Sequence, residues 1–89
     1  MFRPFDYIKD NYIVDIASAT TVYHGFYVSG GPAITGGSVD TSQAQFMIAK
    51  ETLNVSGLTV SWKWAMESAG NKTATYNQIW DNRASLNYY

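Results

Sequence analysis

The residues that could do chemistry in this chain are few and widely spaced. His24 is the only histidine, and it lies in a predicted strand with no nucleophile motif beside it, so we expect a structural histidine. There is no cysteine, and the seven carboxylates show no metal-ligand spacing. The segment "SGGPAITGG" (29–37) lacks the lysine and the following helix of a phosphate-binding loop. The sequence therefore predicts a protein that is not an enzyme and that has no cofactor and no metal site.

Trp62 and Trp64 are the residues with the clearest potential to bind a ligand. They lie in "LTVSWKWAM" (58–66), where every second residue is large and apolar, a pattern typical of a half-buried antiparallel strand. Two exposed rings at this spacing could stack on sugar rings, so a glycan is one candidate ligand. Because Val60 and other aliphatic residues share the same side of the strand, we instead expect Val60, Trp62 and Trp64 to be core residues.

The segment "TYNQIWDNRASLNYY" (75–89) combines a helical pattern with a strand pattern. The residues that recur at spacings of three and four are Tyr76, Ile79, Trp80 and Arg83. This spacing predicts one to two helical turns, which Thr75 could cap. From 84 to 88 the residues alternate and predict a terminal strand. We expect Ile79 and Trp80 to lie in the core.

Aromatic residues are unusually abundant for a chain of this size. They make up 16% of the 89 residues, whereas charged residues make up 15%, against roughly 25% charged in an average domain. A domain this small has a small core, so some rings should lie on the surface and mediate association between copies. The candidate contact residues are Phe2, Phe5, Tyr7, Tyr27, Arg83, Tyr88 and Tyr89. For Arg83, a salt bridge within the chain is an equally good interpretation.

Charge and hydropathy exclude several classes of partner. The net charge is −1 and the six basic residues are scattered, which argues against a nucleic-acid partner. No apolar run approaches the ~20 residues that span a membrane. The start, "MFRPFDYIKD", lacks the apolar segment of a secretory signal. We therefore expect protein partners, above all further copies of the same chain.

The pattern along the chain predicts one β domain, 12–89, preceded by an N-terminal arm, 1–11. The predicted strands are 12–18, 20–28, 44–51, 58–66 and 84–88. A glycine-rich, turn-rich loop (29–38), a hairpin connection (53–57) and a polar loop (67–75) separate them. The predicted fold is all-β, a small antiparallel sandwich or barrel with one short helical turn near the C-terminus.

Two parts of the sequence resemble small virion structural proteins of tailed bacteriophages. The segment "YNQIWDNRASLNY" (76–88) is similar to their C-terminal signature, Trp-Asp-Asn/Asp-Arg-x-Ser-Leu-x-Tyr. Upstream, "TTVYHGFYVSGG" (20–31) followed by "AQFMIAK" (44–50) is similar to their first half. The signature positions that match are Tyr76, Ile79, Trp80, Asp81, Arg83, Leu86 and Tyr88. The resemblance spans roughly 20–88 and leaves out the arm.

The resemblance implies a non-enzymatic structural component of a tailed-phage virion. Such a protein would be a capsid decoration, head–tail or tail subunit, located in the virion and bound to its own copies and to other virion proteins. The alternative is a carbohydrate-binding module that uses Trp62 and Trp64. An OB-like nucleic-acid binder ranks below both because the sequence has no basic groove.

Overall fold

The structure is a computed structural model that describes residues 7–9, 11–66 and 75–89. Its elements are β1 (Tyr7–Lys9), β2 (Tyr12–Ile16), β3 (Thr21–Phe26), β4 (Ile34–Thr35), β5 (Ser38–Val39), β6 (Ala44–Leu53), β7 (Thr59–Trp64), β8 (Gln78–Ile79) and a 3-10 helix (Trp80–Ser85). The fold is all-β and antiparallel, with one short helix near the C-terminus, as the sequence predicts.

The main sheet has six strands in the order β1-β2-β3-β6-β7, and β8 pairs with the beginning of β6. β3 lies at the centre, which agrees with the apolar residues on both of its faces. β1 pairs with β2 through Tyr7 and Val14, so 7–9 of the predicted arm belong to the sheet. Phe2 and Phe5 lie outside the described residues, as does the predicted polar loop apart from Thr75, and of Tyr7 only the backbone is described.

The glycine-rich segment contains a second, two-stranded sheet that the sequence did not predict. β4 and β5 pair as a hairpin around Gly36 and Gly37, whose φ angles are +61° and +83°. Both angles lie in the left-handed region, which a two-residue hairpin turn of this kind requires and which glycine adopts without strain. The strands are only two residues long, too short to produce a detectable alternation.

The hydrophobic core lies between the main sheet and a second layer formed by this hairpin and the tail (75–89). We call this side of the main sheet the core face. The buried cluster consists of Ile13, Tyr23, Tyr27, Ala33, Phe46, Ile48, Ala65 and Trp80, with Ile34, Val39, Leu86 and Tyr88 packed against it. Tyr27 therefore does not lie at a surface contact, and its assignment as a contact residue is wrong.

Trp80 anchors the tail to the sheet. Its indole is fully buried and lies directly over Gly25 in the centre of β3. A Cβ atom at position 25 would stand 2.6 Å from the Trp80 ring and 2.9 Å from Ile13, so only a glycine leaves room for the indole. The other ring contacts of Trp80 include Phe46, at 6.4 Å between centroids.

Arg83 is also buried, and its guanidinium is paired with groups of the same chain. Its Nε donates to Asp15 Oδ2 at 2.8 Å, and its Nη1 donates to the Trp80 carbonyl at 3.2 Å. The guanidinium lies 4.8 Å from the centre of a Trp80 ring, because residues three apart share one face of a 3-10 helix. The expected salt bridge is present, and the assignment of Arg83 as a contact residue between subunits is wrong.

The local structure of the tail differs from its predicted form in two places. The helix begins at Trp80 after an extended Ile79 that provides no side-chain cap, so Thr75 caps nothing. The terminal strand is reduced to a single bridge between Tyr88 and Ala65, flanked by hydrogen bonds from Tyr89 N to Trp64 O and from Met66 N to Asn87 O. Tertiary packing of Trp80 and Arg83 on the sheet overrides the local alternation.

Candidate functional site

The main sheet carries a row of rings on the side opposite the tail. We call this surface the aromatic face and define it by Tyr12, His24, Phe26, Trp62 and Trp64. The strand registers bring the rings together, since Tyr12 lies opposite Phe26, while Glu51 and Ala49 of β6 lie opposite Trp62 and Trp64. Residues of one parity point to the same side of a pleated strand, which places all five rings on one face.

The five rings contact one another continuously across the sheet. Tyr12 and Phe26 stack with centroids 4.8 Å apart, and His24 and Trp62 lie 4.6 Å apart. Phe26 and Trp64 are separated by 6.0 Å. Trp62 and Trp64 meet edge to face at 5.8 Å with their planes 72° apart. These offset and tilted arrangements are the ones that aromatic quadrupoles favour.

A hydrogen-bonded chain runs beneath the rings and joins four strands. His24 Nδ1 is bonded to the Tyr12 hydroxyl, and His24 Nε2 lies 2.9 Å from Glu51 Oε1. The other Glu51 oxygen accepts from the Thr59 hydroxyl. The hydrogen bond from Thr59, and then that from His24, hold the pKa of the Glu51 carboxyl below its ordinary value. With the carboxylate ionised, Nε2 donates to it, and in the neutral imidazole Nδ1 accepts from Tyr12.

The hydrogen bonds hold the His24 ring in one position and occupy both of its nitrogens. Both ring nitrogens are engaged, and the imidazole is buried between Tyr12 and Trp62. The group therefore ties β2, β3 and β6 together, and Thr59 extends the link to β7. Its position agrees with the structural role expected for this histidine.

Exposure varies sharply along the aromatic face. Val14 and Ala49 are buried, whereas Trp62 leaves 43% of its surface exposed and Val60 leaves 61%. Trp64 is half-buried. The assignment of Val60 and Trp62 to the core is therefore wrong. The alternation in β7 correctly indicates two unlike faces, but the tail packs on the face of Ser61, Lys63 and Ala65 instead.

The remaining predicted residues lie at intermediate positions. Tyr88 is half-buried, packs 6.0 Å from the Tyr23 ring and donates its hydroxyl to the Arg83 carbonyl at 2.6 Å. Burial is the main cause that raises the pKa of Tyr88, so its phenol stays a neutral donor. Tyr89 is exposed, and Ile79 is half-buried beside the beginning of β6. Of the candidate contact residues with described side chains, only Tyr89 is exposed.

The sequence did not single out Tyr12, Phe26, Glu51 or Thr59. Tyr12 and Phe26 carry a signal, because each stands in an alternating strand on the same side as other apolar residues. Glu51 and Thr59 carry none, since their bonds to His24 and to each other depend on the registers of β3, β6 and β7. A shift of one residue would turn either side chain to the opposite face.

Other kinds of site find no support in the described part of the chain. No group of three or more His, Asp or Glu side chains there could hold a metal ion. Nor does any helix within these residues have the length and apolarity to cross a membrane. No protein-family model, curated protein or solved structure matches the chain.

Proposed function

We propose that this protein is a non-enzymatic structural subunit of a tailed-phage particle that acts through its aromatic face. The observation that carries the contact surface is the exposure of Trp62 on that face, where it meets the half-buried Trp64 edge to face. Contiguous exposed apolar side chains on a soluble domain mark surfaces that bind other proteins. Tryptophan is also the residue type most enriched among energetically dominant contact residues.

The residues that carry the phage resemblance support the proposal in a specific way. Trp80, Arg83, Leu86 and Tyr88 all pack inside the domain or bond within it. The signature residues therefore hold the tail against the sheet. The signature supports a fold shared with those phage proteins, whereas the contact surface has to be identified from the exposure of side chains.

The partners of the aromatic face are further copies of the chain and other particle proteins. Charged groups are few on this face, and the Glu51 carboxylate is already bonded to His24 and Thr59. An apolar, aromatic surface of this kind suits a protein partner with a complementary apolar patch. A virion location follows from the same proposal.

Sedimentation velocity at micromolar concentration tests the contact surface. We expect the wild-type chain to associate and Trp62→Ala to shift the equilibrium strongly towards monomer. Tyr76→Ala is the matched control, because Tyr76 is exposed to the same 43% but lies outside the aromatic face. A wild-type chain that stays monomeric, or an equal effect of both substitutions, would contradict a role for this face.

The virion assignment needs a separate measurement. Mass spectrometry of purified phage particles should detect the chain in a fixed ratio to a capsid protein, and its gene should lie beside portal and capsid genes. Metabolic neighbours and absence from particles would remove the virion assignment without affecting the contact surface.

A carbohydrate-binding module is the second candidate, because Trp62 is exposed beside the polar His24–Glu51 pair. The 72° angle between Trp62 and Trp64 weakens it, since two perpendicular rings cannot form one flat platform for adjacent sugars. Quenching of tryptophan fluorescence by oligosaccharides that Trp62→Ala abolishes would favour this function over subunit contact.

A further inference from the structure

A second surface lies on the core face, at its edge beside the tail. Its charged and hydroxyl side chains have no part in the contact surface proposed above. Here β6, β7 and the tail enclose a cleft of about 310 Å³. Its floor is formed by Lys50 and Thr52 of β6 and by Ser61 and Lys63 of β7, and residues 86–89 form its wall. The aromatic face lies on the other side of the sheet, so the two surfaces are independent.

The register of β6 and β7 places two pairs of like groups directly opposite each other. Lys50 faces Lys63, and one step along the same face Thr52 faces Ser61. Like charges directly opposite each other destabilise a sheet, and natural pairs usually combine opposite charges. The floor of the cleft therefore holds two ammonium groups and two hydroxyls side by side.

Neither lysine of the cleft forms an ion pair within the described part of the chain. The ion pairs there join His24 to Glu51 and Arg83 to Asp15, and neither Lys50 nor Lys63 takes part. Lys50 instead lies 5.8 Å from the centre of the Tyr88 ring. Since Glu51 points to the opposite face and Asp15 is bound by Arg83, no free carboxylate of these pairs balances the lysines.

We propose that this cleft binds a phosphate group carried by a small organic molecule. A dianion between Lys50 and Lys63 would balance both charges, and the hydroxyls of Thr52 and Ser61 could donate to its oxygens. The volume exceeds that of a bare oxyanion and lies at the lower end of the ~300–1,000 Å³ typical of small-molecule sites. The apolar parts of Leu86 and Tyr88 in the wall would contact the organic portion.

A polynucleotide fits the cleft less well. Two lysines in one concave site do not form the extended basic track that a nucleic-acid backbone requires, and the chain as a whole carries a net charge of −1. The ligand class is therefore a small phosphomonoester or free phosphate.

Amide chemical shifts of the full chain, titrated with glucose 6-phosphate, test the site. We expect saturable shifts at Ser61, Lys63 and Asn87, and none with glucose. Inorganic phosphate is titrated in parallel. Equal affinity for it would identify the free oxyanion as the ligand, and weaker affinity would identify the phosphomonoester. A short single-stranded oligonucleotide that binds more tightly than either would overturn the proposal.

Variants that remove lysine charge inside and outside the cleft show whether the cleft is responsible. Lys50→Gln/Lys63→Gln should weaken binding at least about tenfold, which corresponds to the loss of one charge-assisted hydrogen bond or more. Lys9→Gln removes a lysine from β1 at the far edge of the sheet and should leave binding unchanged. The double variant should melt no lower than the wild type, because it relieves a like-charge pair. No saturable binding by the wild type, or equal losses with Lys9→Gln, would refute the site.

Discussion

On the core face of the main sheet Trp80 is fully buried, whereas on the aromatic face Trp62 leaves 43% of its surface exposed. The core face receives a second layer from the hairpin and the tail of the same chain. The aromatic face holds its rings in place by contacts among themselves and by the hydrogen bonds of His24. The difference indicates that the core face supplies most of the stability, while the aromatic face presents the partly exposed surface that we propose for association.

The largest expected effect is on the core face. Trp80→Ala should lower the free energy of unfolding by about 3–5 kcal/mol, because it removes a fully buried indole and leaves a cavity over Gly25. For a domain this small that is a large share of the total stability. Deleting 79–89 should unfold the domain. Urea unfolding followed by circular dichroism measures both, and an unchanged midpoint would mean that the tail is not part of the core.

The Arg83–Asp15 pair should have the next largest effect. Arg83→Met or Asp15→Ala should each cost about 1.5–3 kcal/mol, since the remaining partner keeps an unmet hydrogen-bonding group in a mostly buried position. The double variant should cost less than the sum, which a double-mutant cycle measures as a coupling energy. Strict additivity of the two single effects would show that the pair contributes no coupling.

Trp62→Ala should have a smaller effect on stability than on association. A side chain exposed to this extent loses only part of the ~1.5–3 kcal/mol gained by full burial, so we expect a cost of about 1 kcal/mol. This value replaces the larger one that a core assignment would imply. If Trp62→Ala instead destabilised the chain as strongly as Trp80→Ala, the contrast between the two faces would fail.

The smallest effect concerns the pH dependence of the aromatic face. Because the pKa of Glu51 is lowered in the folded chain, its ionised form stabilises the fold above the ordinary value of 4.5, and this contribution is lost as the pH falls through the lower folded value. Glu51→Gln should therefore differ most from the wild type near neutral pH, and the difference should shrink in acid. Urea midpoints from pH 3 to 7 measure it, and a difference that grows in acid would reverse the assignment.

Alternation in the sequence was sufficient to predict the longer strands, β2, β3, β6 and β7. The segment 20–28 was correctly predicted to form a strand, and the alternation of 58–66 predicted β7, although a β-bulge brings Thr59 to the side of Glu51. These features depend on a period that is set locally by the pleat. The helical spacing around Trp80 likewise indicated a turn of helix, although its start at Trp80 depends on contact with Gly25.

Which face of the sheet the tail covers could not be predicted. Alternation shows that the two sides of β7 differ, but which side the tail covers depends on a segment distant in the sequence. For the same reason the aromatic side of β7 was assigned to the core. The Lys50–Lys63 pair could not be predicted either, because it exists only in one register of β6 against β7.

The contact between Gly25 and Trp80 also determines what the sheet exposes when the tail is not docked. β2, β3 and β6 precede Trp80 in the chain, so a sheet that forms before the tail docks carries an open apolar groove at Gly25. Exposed apolar surface on an incomplete sheet promotes aggregation until its cover arrives. A form of the chain with an undocked tail is therefore expected to be more prone to aggregation than the native fold.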